Sequence, residues 1–119
     1  MGTKMVQVRR VYDAPARGDG NRVLVDRIWP RGLTKDKADL DEWCKAVAPS
    51  TELRKWYRHD PNRFTEFARR YRQELTEPER AEALAHLRTL ATNRKNLTLL
   101  TASKAVDISE ATVLAEMLS

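Results

Sequence analysis

Two short apolar runs, far apart in the chain, constrain its fold more than any other feature. Val23-Leu24-Val25 is continuous instead of alternating, and "LTLL" at 97–100 opens a further apolar strand. A strand with one wet face alternates polar and apolar residues, whereas a continuous run suits a strand covered on both faces, as in parallel or central positions. Upstream, "MVQVRRVYD" alternates Val6 and Val8 with Gln7 and Arg9 and reads as a further strand. A long helical stretch separates the last two strands, and parallel neighbours need such a crossover connection. The expected architecture is α/β: a single compact domain over residues 1–119, with a small, mostly parallel sheet flanked by helices. The direction of the second strand relative to the first stays open. The turn-rich "APARGDGN" between them would also close a hairpin, which would send Tyr12 and Asp13 to the opposite end of the sheet.

Helix signals fill the middle and the end. Asp39 with Glu42 reads as a capping box that puts Leu40, Trp43, Cys44 and Val47 on one helical face. Ser50 is positioned to cap a short helix through Leu53 and Trp56. Asp60 followed by Pro61 predicts another start, with Phe64, Phe67, Ala68, Tyr71 and Leu75 as its buried stripe. Thr76 with Glu79 and Asp107 with Glu110 predict two further capping boxes. Between those two helices "NRKN" breaks the pattern.

The net charge of +5 and pI near 9.7 favour anionic partners, nucleic acid among them. The single cysteine, Cys44, excludes an internal disulfide and fits a reducing compartment. With neither a secretory apolar run nor a membrane-length one, the expected location is the cytoplasm and no membrane partner is expected.

Chemistry concentrates where strands end. The first finishes in Tyr12-Asp13, the second in Asp26-Arg27, the third in Thr101, Ser103 and Lys104. Ligands of open α/β sheets bind outside the carboxyl ends of parallel strands, because several loops converge there. In "DRIWPRG", Arg27 and Arg31 offer planar forks for phosphate or carboxylate, Trp29 a flat face, Pro30 stiffness and Gly32 a turn. Lys104 adds a point charge and Ser103 a hydroxyl. Asp26 and His59 are the candidates for moving a proton. Alternatively, Trp29 packs into the core and Arg27 pairs with an acid. His86 reads as a surface residue and Cys44 as a buried thiol, and the histidines and cysteine match no zinc spacing. No phosphate-loop or dinucleotide glycine motif is present, so no cofactor is assigned. Arg63, Arg69, Arg70 and Arg72 cluster on one helix, but Glu66 and Glu74 among them favour a salt-bridged, solvated face.

"RVLVDRIWPRGLTKDKADLDEW", "APSTELRKWYRHDP" and "TLLTASK" together resemble the bacterial YeaO-like family, domain of unknown function 488, over nearly the whole chain. The resemblance implies an α/β domain with no established reaction. It directs attention to Asp26, Arg27, Trp29, Pro30, Arg31 and Gly32 in the signature loop, then to Arg54, Trp56, His59, Asp60 and Lys104. Many relatives carry Lys-Asp after the third strand and a His-Asn pair opening the last helix. Here those places read Lys104-Ala105 and Ile108-Ser109-Glu110.

Two functions fit these residues. In one, a small enzyme acts on a phosphorylated, nucleotide-like or carboxylate ligand clamped by Arg27, Arg31 and Lys104. In the other, the same cations belong to a non-catalytic module that binds a nucleotide or nucleic acid.

Overall fold

The computed structural model describes residues 6–92 and 96–119. Strands β1 (Val6–Arg10), β2 (Asn21–Leu24), β3 (Glu42–Trp43) and β4 (Leu97–Thr101) form one sheet in the order β1-β4-β2-β3. Every pairing is parallel; Leu99 stands opposite Val8 on one side and Val23 on the other. The hairpin alternative is therefore excluded, and β1, β2 and β4 present their carboxyl ends at one edge.

The continuous apolar run has the cause its pattern predicts. Val23, Val25, Leu97 and Leu99 face a core built with helices α2 (Thr51–Tyr57), α3 (Phe64–Glu74), α4 (Pro78–Thr92) and α5 (Glu110–Leu118). Leu24, Leu100 and Val11 face the other way, against Ala38 of the short α1 (Lys35–Ala38) and against Trp29, Leu33, Leu40 and Trp43. Each fully buried Leu or Val contributes about 1.5–3 kcal/mol, so the second face needs its cover. The cover is unequal: four helices pack on one face, while the segment from Trp29 to Trp43 roofs the other. The "DRIWPRG" loop is thus part of the core as well as the rim.

Ser50 caps α2 as read, while Asp60 caps a 3-10 turn (Pro61–Arg63) from which α3 opens at Phe64. Ser50 Oγ accepts from Leu53 N at 3.1 Å, and the Asp60 carboxylate accepts from Asn62 N at 3.0 Å just ahead of Pro61. Phe67, Ala68, Tyr71 and Leu75 are buried along the α3 stripe, with Phe64 packed at its edge.

Three starts are corrected. Asp39 closes α1 in a left-handed conformation (φ 47°), its N–H donating to Lys35 O, and the expected helix beyond it is the strand β3. The Asp41 carboxylate accepts from Arg22 N at 2.8 Å, which pins this segment alongside β2; sheet pairing overrides the capping signal. Thr76 does not cap α4, because its hydroxyl donates to Gln73 O at 2.7 Å. Asp107 lies in a 3-10 turn, so α5 opens at Glu110, three residues later. The break expected at "NRKN" falls mostly on residues 93–95, outside the described residues.

At the amino edge of the sheet the chain buries charge. Asp19 and Arg22 form an ion pair while 2% and 4% exposed, and Gly20 lies between them. Gly20 adopts φ 62° and ψ −128°, and a Cβ there would stand 2.1 Å from Asn96 O, which accepts the N–H of Asn21. Gly20→Ala is expected to cost about 2–3 kcal/mol, because the conformation belongs almost only to glycine and the clash is with backbone. Urea unfolding measures it; an unchanged midpoint would contradict this local geometry.

Candidate functional site

A hollow of about 400 Å³ opens at the carboxyl edge of the sheet. Asp26, Arg27, Ile28, Trp29 and Arg31 reach it from the loop after β2, and Tyr12 from the end of β1. Thr101 and Ser103 come from the end of β4, Arg54 and His59 from α2 and its end, and Glu110 from the first turn of α5. Of the residues singled out in the sequence, Asp26, Arg27, Trp29, Arg31, His59 and Ser103 meet here. Lys104 and Gly32 are not in its wall: Lys104 is exposed beside Ser103, and Gly32 turns the loop at φ 75°.

The loop is held from both ends. Tyr12 OH donates to Arg31 O at 2.8 Å, joining the end of β1 to the loop. Trp29 Nε1 donates to Leu33 O at 2.7 Å, and its ring meets Trp43 edge-on at 5.4 Å. Trp43 Nε1 donates to Asp26 O, also at 2.7 Å. Trp29 therefore serves both readings, anchored in the smaller core while one surface lines the hollow. With that anchor the arginines stand outward. Among the described residues, neither the Arg27 nor the Arg31 guanidinium has a hydrogen-bond or ion-pair partner, and both residues are exposed.

The floor is acidic and hydrogen-bonded. One Asp26 oxygen accepts from Thr101 Oγ1 at 2.8 Å and the other from Ala102 N at 2.7 Å, tying β2 to the end of β4. Glu110 stands beside Asp26 in the same wall. Burial drives the Glu110 carboxyl well above the usual carboxylate range; the neighbouring Asp26 carboxyl pushes the same way, and the nearby Arg54 only partly opposes them. The wall thus sets three arginines beside a carboxyl that holds its proton more tightly than usual.

Arg54 completes the set. Its Nη2 reaches Thr51 Oγ1 at 3.3 Å, while its buried Nε–H has no acceptor among the described residues. A buried donor without an acceptor costs about 1–3 kcal/mol, so an incoming anion finds it unsatisfied. His59 follows Arg58 through two left-handed residues (φ 50° and 54°) that end α2 and turn the imidazole to the rim.

Residue-by-residue reading had no grip on Glu110, which looked like a helix cap, nor on Ile28 and Pro49, ordinary apolar residues in sequence. Arg54 was accessible only through the family resemblance. The helical arginines sit elsewhere and are paired: Arg69 and Arg70 bind Glu66 at 2.7 Å and hold its carboxyl down at about 2, and Arg72 binds Glu116 at 3.0 Å. His86 is on the surface against Glu42. Cys44 is buried, which raises its thiol to about 11.

The family model described as the inactive DUF488-N3 subclade matches residues 5–119. The chain belongs to that subclade. An uncharacterized protein of Mycobacterium tuberculosis is 53% identical over 114 residues, covering 96% of this chain and 93% of the relative. The uncharacterized protein YeaO of Escherichia coli is 40% identical over 114 residues, covering 95% and 96%. No solved structure matches the chain. Among the described residues of this subclade member, no helix is long and apolar enough to cross a membrane.

Proposed function

We propose that this protein binds a small anionic molecule, a carboxylate or phosphate, in the hollow at the sheet's carboxyl edge, and does not transform it. The observation that carries the reading is the convergence of Arg27, Arg31 and Arg54 from two separate parts of the chain on one concavity. Two of these guanidiniums lack a protein partner, so the anion faces no internal competitor for its hydrogen bonds. Binding without turnover is supported by the description of the subclade as inactive. It is supported too by Asp26, whose two oxygens already accept from Thr101 and Ala102 and brace the floor.

A thermal-shift and calorimetric screen of phosphate, carboxylates, sugar phosphates and nucleotides is expected to give hits. Arg27→Ala and Arg31→Ala should each weaken the best of them about 10- to 100-fold, since a hydrogen bond to a charged group is worth about 1.5–3 kcal/mol. Failure of every anion to raise the melting temperature would overturn the reading. Binding of oligonucleotides that collapses with salt, and that depends on Arg69 and Arg72 instead of the loop, would replace it with polyanion adhesion.

A second reading, turnover, rests on the pairing of Asp26 with Glu110. A carboxyl whose proton is held tightly beside a second carboxyl is suited to delivering that proton. Product formation that Glu110→Gln abolishes, with ligand binding retained, would favour it.

A further inference from the structure

A second cavity of about 450 Å³ adjoins the first. The two share Ile28, Pro49, Arg54, His59 and Glu110, so they are lobes of one depression. Their chemistry differs. Arg27 and Arg31 line only the first lobe, while Tyr57 and Phe67, with Thr51, Lys55 and Ser109 beside them, line only the second. Those rings are stacked at 4.1 Å, both residues are buried, and the Tyr57 hydroxyl is fixed on Ile108 O at 2.7 Å. With its hydroxyl so occupied, the tyrosine offers the lobe an apolar face.

Exposure points to the same place. Among the described residues two large hydrophobic side chains are conspicuously exposed, Ile28 at 67% and Tyr12 at 40%, and both stand on this depression. A single exposed isoleucine is ordinary, but Ile28 stands where the two lobes join, and Tyr12 adds exposed apolar surface to the first. The floor between them is Glu110, which in its protonated form presents no charge to a passing hydrocarbon.

Resting on the anion-binding reading above, we propose that the ligand is an amphipathic anion. Its carboxylate or phosphate head takes Arg27 and Arg31, and its aliphatic or aromatic body crosses Ile28 and Pro49 into the lobe walled by Tyr57 and Phe67. The two lobes together have the size of pockets that enclose drug-sized ligands, far larger than inorganic phosphate needs.

The test is a homologous series titrated calorimetrically into the full chain: acetate, butanoate, hexanoate and octanoate, with methyl, butyl and hexyl phosphate as the second arm. Affinity is expected to rise about 4-fold per methylene until the lobe is filled, following the roughly 0.8 kcal/mol of a buried methylene. The two arms identify the preferred head group. Ile28→Ala should lower the ratio of octanoate to acetate affinity, and Arg31→Ala should weaken every member while keeping that ratio. Ile28 is exposed, so its variant keeps the core intact, as circular dichroism would check. Short anions that bind while chain length brings no gain would overturn the amphipathic ligand and leave the anion site standing. Binding at neither length would remove both. A length dependence indifferent to both substitutions would mark non-specific detergent-like adsorption and would equally overturn the proposal.

Discussion

Asp19→Ala is expected to lose about 3–5 kcal/mol of folding stability, the range for removing one partner of a buried ion pair. Asp19 is the centre of the amino-edge network. Its carboxylate accepts from Arg22, from Arg9 at 2.9 Å, from Gln7 at 3.3 Å and from the backbone of Ala16 at 3.0 Å, and its own carbonyl accepts from Thr98 Oγ1 at 2.7 Å. Arg22 also donates to Asp39 O and Ala38 O, so the pair connects β1, β2, β4 and the end of α1. Without Asp19, the Arg22 guanidinium keeps its two carbonyls but has lost its counter-charge while almost fully buried. Burial alone would raise the Asp19 carboxyl, yet the hydrogen bonds from Ala16, Arg22 and Arg9 outweigh it and leave the group below its ordinary value. The depressed value sets the sign: the stabilisation is complete above about pH 4 and disappears as pH falls through the folded value. Denaturant unfolding at neutral and acid pH would show both effects, with a large loss in the variant at pH 7 and a smaller difference from wild type near pH 2. A neutral-pH loss below about 1 kcal/mol would mean that the pair is solvated after all.

That network was invisible in the sequence because nothing in "ARGDGNRV" distinguishes a buried Asp-Arg pair from turn chemistry. Local signals were reliable where local forces decide. Val23-Leu24-Val25 told of two covered faces, and the Phe64–Leu75 stripe told of one buried helix face, because burial alone sets those patterns. Asp39 misled for the opposite reason. Its capping-box spacing with Glu42 is a weak local preference, and the backbone pairing of Glu42 and Trp43 with Val23 and Leu24 outweighs it. Thr76 and Asp107 fail likewise, one drawn back onto α3 and the other held in a 3-10 turn.

The site was half legible. Cations and an aromatic packed after a buried strand are an unusual use of surface, and all-parallel strand ends gather such residues without further help. Lys104 carried the right charge yet stands outside the wall, exposed in a bend beyond the end of β4. Glu110 is the converse case. Its chemistry depends on Asp26, a residue at the far end of the crossover, and only the assembled sheet brings the two carboxyls together.

The same pair governs how stability and binding should respond to pH. Glu110 is raised by burial and by Asp26, so its contribution is complete below the ordinary carboxyl value of 4.5 and is lost as pH rises toward and through the folded value. Within that window each pH unit costs about 1.4 kcal/mol at most, the linkage limit for one proton. Replacing the acid by its neutral isostere removes the dependence: Glu110→Gln should be as stable as wild type near pH 5 and increasingly more stable toward pH 9. Anion affinity should follow the same course, because ionising Glu110 beside Asp26 adds a negative charge to the floor beneath Arg27 and Arg31. The other groups around Glu110 leave the sign of this difference unchanged. Burial holds Tyr57 neutral up to about 12 and keeps the Tyr71 hydroxyl well above its ordinary value. Comparing wild type with Glu110→Gln therefore isolates the carboxyl, with His59→Gln as the control for the imidazole. Melting temperature and acetate affinity measured from pH 5 to 9 would check it. Parallel pH profiles for wild type and Glu110→Gln would show that Glu110 is ionised throughout, and that the floor of the hollow carries two negative charges instead of one.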